Sequence, residues 1–92
     1  MADCWDPQKN RINQRVHRIR FEDAQSVFDD SQALYEYDDR DYGEDRWKAI
    51  GNVRGTNMLV VFTERSCGEL LISARKADPD EERRFFTRSL GA

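Results

Sequence analysis

The chain holds a single histidine, His17, among 92 residues. A mechanism in which two histidines exchange protons with a substrate is therefore closed to it. Cysteine is nearly as scarce. Cys4 and Cys67 lie far apart with no CxxC pattern, so together with His17 they do not make a zinc site. Two such isolated cysteines are expected to be free thiols. No apolar run approaches the roughly 20 residues that a membrane helix needs. The opening stretch MADCWDPQ is polar and acidic, without the layout of a signal peptide. A cytoplasmic protein away from membranes is the expectation. Glycines form neither GxGxxG nor GxxxxGK, so no nucleotide cofactor is expected. Nothing resembles GxSxG or a Cys–His pair, which argues against covalent acyl chemistry. No metal or other cofactor is expected.

Charge, by contrast, is abundant and unevenly placed. The chain carries a net −3. Residues 22–45 hold ten acidic residues and only Arg40 against them, a net −9, which leaves the remainder at +6. Most of that positive charge is arginine. Such asymmetry suits an anionic partner for one surface. A solvated, highly charged exterior explains it equally well. The apolar content of 38% is enough for one packed core, and the length suits a single domain over 1–92.

The local patterns predict an α+β fold in the order α-α-β-β-β-β-α. Asp6-Pro7 is an N-cap followed by proline at the first helical position. The helix it starts should run from Pro7 to about Val16, with Ile12, Val16 and Ile19 facing inward. HRIR then connects to FEDAQSVFDD, a second helix burying Phe21, Ala24, Val27 and Phe28. The period then becomes two. ALYEY (33–37), RWKAIGNV (46–53), MLVVFTER (58–65) and LLISARKA (70–77) read as strands. The turns between them are 38–45, 54–57 and 66–69, so the sheet should be an antiparallel meander. Asp78-Pro79-Asp80-Glu81 is a capping box opening a last helix through DEERRFFTRSL. Phe86 and Leu90 lie one turn apart there, flanked by Phe85, and Gly91 is a natural stop.

Several polar residues could carry chemistry. Lys9, Asn13 and His17 recur every four residues and can share one helical face, supplying a cation, an amide and a proton-transfer group. His17 could instead simply cap the helix end. Arg75 and Lys76, at a strand end, could hold an anion, or Arg75 could pair with Glu81 or Glu82. Arg46 beside Trp47 could bind a phosphate and stack a base, or Trp47 could be core. Arg83, Arg84 and Arg88 could be solvated or paired with Asp80 and Glu81.

WDPQKNRIN followed by His17, then FEDAQSVFDD, RWKAIGNVRGTNMLVVFTER and ISARKADPDEERR, appear in order from Trp5 to Phe86. In this order and spacing the chain resembles the BrnT family of type II toxin–antitoxin systems. The resemblance implies a RelE-like fold and metal-independent RNA cleavage that arrests translation and growth. It implies neutralisation by a BrnA-type antitoxin with a ribbon-helix-helix region, operator DNA being reached only through that antitoxin. It places the family's polar positions on Lys9, His17, Arg46, Arg75, Lys76, Glu81 and Arg83. His17 would then be the base, Lys9 or Lys76 would serve the leaving group, and Arg75 and Arg46 would clamp the phosphate. Glu81 would belong to the catalytic set, and Asn13, Trp47 and Arg83 would contact RNA. Val16, Arg18, Leu70 and Phe85 stand where many members carry Lys, Gly, Arg and Tyr. A second expectation is therefore a catalytically weakened member that acts mainly as an antitoxin-binding scaffold in an operon-repressing complex.

Overall fold

Asp6 caps the first helix by accepting a 2.9 Å hydrogen bond from the Gln8 backbone N–H, and α1 spans Pro7–His17. The computed structural model describes residues 4–40 and 43–91, with side chains described through residue 87. After α1 come α2 (Phe21–Ala24), a 3-10 segment (Gln25–Asp29), four strands and α3. The strands are β1 (Leu34–Asp38), β2 (Arg46–Val53), β3 (Thr56–Arg65) and β4 (Gly68–Lys76), and α3 is Pro79–Gly91. The class is α+β, as the patterns predict. The expected second helix tightens into 3-10 geometry over its last turn, a common way for a helix to end.

The sheet is fully antiparallel, in the order β1-β2-β3-β4. Arg54 and Gly55 both have positive φ (50° and 88°) between the paired residues Val53 and Thr56. A two-residue loop with both φ positive matches the right-handed twist of the strands it joins. β2 and β3 therefore pair right up to the turn, two residues beyond the start expected for β3.

The sheet carries a core on each face. Ala49 and Ile50 are adjacent in β2 and fully buried on opposite sides. On one face Phe21, Ala24 and Val27 pack with Ala49, Val60, Phe62, Leu71 and Ala74. On the other, Phe85 of α3 packs against Ile50 and Leu59. Phe85 is thus the anchor of α3, while Phe86 is 49% exposed. This reverses their expected roles, and Leu90 lies outside the described side chains. A Cβ at Gly51 would lie 2.8 Å from Val27 Cγ2 and 3.2 Å from Asp30 Oδ2. Only glycine lets the 3-10 segment sit this close to β2.

Two expectations fail in α1 and at the cysteines. Ile12 and Val16 do not face inward; they are 49% and 63% exposed, and Asn10 and Asn13 are buried instead. The reason is what α1 packs on. It lies along the backbone of β4 and the Ile19–Phe21 connection, where peptide groups need partners. Asn13 donates to the carbonyls of Ile19 (2.9 Å) and Ala74 (2.8 Å) and accepts from the Ala74 N–H (3.0 Å). Asn10 accepts from the Phe21 N–H and donates to Glu22. Cys4 and Cys67 form a disulfide rather than free thiols. The N-terminal segment runs beside β4, with the Leu71 N–H donating to the Cys4 carbonyl and Trp5 bridging Leu71. That places Cys4 over the β3–β4 turn, 5.6 Å from Cys67 between Cα atoms, within the range a disulfide spans.

Candidate functional site

Because α1 turns its asparagines inward, its apolar and basic residues face out. Lys9, Ile12, Val16 and His17 form one wall of a groove of about 330 Å³, with Asn13 also lining it and Ile72 and Ser73 of β4 opposite. β4 is irregular here. Val61 pairs with Ser73 and Phe62 with Leu71, so Ile72 is an extra residue in the ladder. Such a bulge re-aims side chains and is frequent beside functional sites.

The structure brings Lys9, Asn13 and His17 together in this groove. Asn13 is only 4% exposed and its amide is committed to backbone, so it holds the groove's geometry. Lys9 and His17 are two helical turns apart, about 12 Å along the axis. They address neighbouring positions along a bound strand rather than one atom. Helix α1 ends at Arg18, which has a left-handed φ of 61° and donates its N–H to the Gln14 carbonyl. Glycine adopts that conformation more readily than arginine. Val16 and Arg18, on either side of His17, both point to solvent and leave the imidazole exposed.

Strand alternation puts Arg75 on the same side of β4 as Ser73, about 7 Å further along. Its guanidinium makes two 2.8 Å hydrogen bonds to the Glu81 carboxylate. Glu81 also accepts from the Asp78 N–H, while the Glu81 N–H donates to Asp78 Oδ1, completing the capping box. Glu81 is therefore a positioning residue for Arg75. Lys76 follows, exposed. Arg46 is not part of this cluster. Its strand is two removed from β4, about 10 Å across, and Arg46 lies about 13 Å along β2 from the level of Arg75. It pairs with Glu44. Trp47 projects from the opposite face of β2, half-buried against the core and edge-on to Tyr37. Arg46 and Trp47 therefore do not form one phosphate-and-base site. Arg83 pairs with Asp80 on the surface of α3.

Ion pairing sorts the abundant arginines. Arg20 and Arg54 meet Asp23, Arg40 meets Asp38, Arg65 meets Glu44, and Arg84 meets Glu36 and Asp80. Within the acidic stretch 22–45, Asp23, Glu36 and Glu44 are thus engaged by arginines from outside it, and Asp38 by Arg40 within it. Among the described residues, the cations without an ion pair are Lys9, Arg11, Arg15 and Arg18, on or at the end of α1, together with Lys48 of β2 and Lys76 at the end of β4. Most of the unpaired positive charge therefore lies on the helix that carries the only histidine, and Lys9 shares the groove with it. Sequence reasoning missed this partition, because pairings such as Arg84–Glu36, 48 residues apart, leave no local signal.

Two of these pairs make stability depend on pH. The Arg40 guanidinium holds the Asp38 carboxyl well below its usual range. Burial pushes the Glu81 carboxyl up, but the Arg75 guanidinium and the Asp78 N–H more than reverse this, leaving it lowered. A carboxyl lowered in the folded state adds stability above its unfolded pKa, and that stability is lost as pH falls through the folded value. The melting temperature should therefore be level near neutrality and fall progressively below about pH 4, where unfolded carboxylates titrate. Arg75→Ala should remove the Glu81 share of that fall. An unchanged acid limb in the variant would refute the assignment.

An antiparallel sheet with helices packed on it, and an exposed histidine and lysine in a groove beside its edge strand β4, defines a small α+β protein. The chain belongs to the BrnT family: the family described as "Ribonuclease toxin, BrnT, of type II toxin-antitoxin system" matches residues 5–81. That span takes in both walls of the groove together with Arg75, Lys76 and Glu81. Comparison with curated proteins returns no match. Membership makes this a ribonuclease toxin family with an antitoxin as its implied counterpart. Among the described residues no helix is long and apolar enough to cross a membrane.

Proposed function

We propose that this single domain is a metal-independent endoribonuclease that works in the cytoplasm and cuts RNA in the α1–β4 groove. The observation that supports the reading is that the only histidine shares a groove with Lys9, on a helix whose basic residues have no ion pair, within the span matched to a ribonuclease toxin family. His17 takes the proton of the substrate's 2′-hydroxyl. The 2′-oxygen then attacks the phosphorus, and the 5′-oxygen leaves with a proton, giving a 2′,3′-cyclic phosphate. Arg75, positioned by Glu81, stabilises the charge on the phosphorane oxygens. In this reading Lys9 holds the adjacent phosphate and Lys76 protonates the leaving group. Phe85 does not deprive this site of a hydroxyl, because it is buried against Ile50 and Leu59.

The test is cleavage of a structured RNA in excess EDTA, with the cyclic phosphate sought at the new ends. His17→Ala should slow cleavage about a hundredfold, the lower end for loss of a general base, since nothing in the groove orients the imidazole further. Cleavage that needs a divalent ion, or survives His17→Ala unchanged, would refute the mechanism. A BrnA-type antitoxin with a ribbon-helix-helix region is the proposed partner, and its complex with this chain is the proposed operon repressor. The bidentate Glu81 clamp on Arg75 favours one alternative, a weakened enzyme retained as an antitoxin-binding scaffold. That reading predicts tight co-purification with the antitoxin and no cleavage.

A further inference from the structure

A second recess lies across one face of the sheet, reaching from Tyr35 of β1 to Glu69 of β4. It has a volume of about 370 Å³ and is lined by Tyr35, Trp47, Phe62, Glu64 and Glu69. Three aromatic rings interlock there. Phe28 stacks on Tyr35 at 6.5 Å, and both meet Phe62 edge-on, at 5.0 and 6.3 Å. Tyr37 and Trp47 extend the surface, at 5.1 Å from each other. Tyr35 and Tyr37 are 46% and 50% exposed. Exposed tyrosines around a half-buried tryptophan are the composition of a protein-binding surface.

The rim of this recess is acidic. Glu64 and Glu69 stand directly opposite each other in the β3–β4 ladder, an arrangement in which like charges repel. Among the described residues neither forms an ion pair. The adjacent Arg65 instead binds the Glu44 carboxylate and the Glu64 backbone carbonyl. Burial, then Glu69 and Asp30, raise the pKa of the Tyr35 hydroxyl. At its Tyr35 end the recess reaches β1, an edge strand. An edge strand offers unpaired backbone groups to an incoming extended chain.

We propose that β1 and the recess beside it form a docking surface for an extended basic segment of a partner protein. The segment would enter past β1 and cross the recess over the sheet face, seating an arginine or lysine between the aromatic rings and the Glu64–Glu69 pair. Aromatic faces attract a cation, most strongly when it is partly desolvated. The added charge also relieves the repulsion between the two glutamates. A nucleic acid does not suit this recess, because its phosphates would meet the same carboxylates. The inference does not depend on the ribonuclease reading, since none of these residues is placed in the groove.

The test titrates the full chain with a blocked hexapeptide alternating valine and arginine, followed by NMR of the β1 amides and the Trp47 indole. The expected result is a saturable shift of residues 34–38 and Trp47, weakened by added salt. Glu64→Gln combined with Glu69→Gln should weaken binding about tenfold or more, and Tyr35→Ala should do likewise. The double glutamine variant should also melt no lower than the parent, since it removes a repulsion. The proposal is overturned by any of three results. These are shifts that do not saturate, equal binding by the double variant or by the same peptide with citrulline for arginine, or binding of a hexauridylate at these residues.

Discussion

Asn13→Ala should cost about 4 kcal/mol, read as a lowered urea midpoint with an unchanged slope. Asn13 is 4% exposed and its amide makes three hydrogen bonds to backbone. Its loss leaves the carbonyls of Ile19 and Ala74 and the N–H of Ala74 without partners in a buried site. Each unsatisfied group costs about 1–3 kcal/mol, and water entering the gap recovers part of that. The loss is large against a domain stability of about 5–15 kcal/mol. Two further variants separate hydrogen bonding from packing. Asn13→Leu fills the volume but supplies no donor or acceptor, so it should remain nearly as unstable as alanine. Asn13→Asp keeps the bond from the Ala74 N–H but turns a carboxylate toward two carbonyls, and should not rescue. A loss under about 1 kcal/mol, or full rescue by leucine, would show that packing rather than backbone satisfaction holds α1. The functional consequence is local, because His17 and Lys9 keep their position against β4 only while Asn13 ties α1 down.

The same residue shows where sequence reading succeeds and where it stops. The caps at Asp6 and Asp78 act within three residues, and both are formed as their motifs predict. The alternating strands likewise pair in the predicted order, since short turns leave neighbouring strands little choice. The inward face of α1 was misread because periodicity assumes that a helix buries its apolar residues. Here the surface receiving α1 is backbone, so asparagine is the residue that fits, and Ile12 and Val16 remain outside. The four-residue spacing did find Lys9, Asn13 and His17 on one side of the helix. It could not tell that the middle one is structural, because its partner Ala74 lies 61 residues away. Arg46 and Trp47 fail as a unit for a simpler reason. Adjacent residues of a strand face opposite ways. Arg75 was placed correctly at a strand end, and its pairing with Glu81, one of the alternatives open from the sequence, is the one that forms.

Loss of the Cys4–Cys67 bridge should be nearly as costly as Asn13→Ala, about 4 kcal/mol, because it closes a loop spanning a sequence separation of 63. The expected fall in melting temperature is on the order of 20 °C for a domain of this size. Cys4→Ser combined with Cys67→Ser should show it without reductant. The parent should show the same fall when a phosphine reductant is added, and the double variant should not respond. A parent indifferent to reductant would show that the bridge contributes nothing, whatever the variant does. The contrast matters because of where the bridge acts. It fastens the segment that carries Trp5, whose indole packs edge-on to Phe21 at 5.9 Å, just ahead of α1. Reduction should therefore loosen the N-terminal side of the groove first, and amide exchange should rise in α1 before β2 and β3. In a reducing cytoplasm, where thiols stay free, the toxin proposed here would hold its histidine wall mainly through Asn13. In that state Asn13→Ala should abolish folding that the oxidised chain still manages.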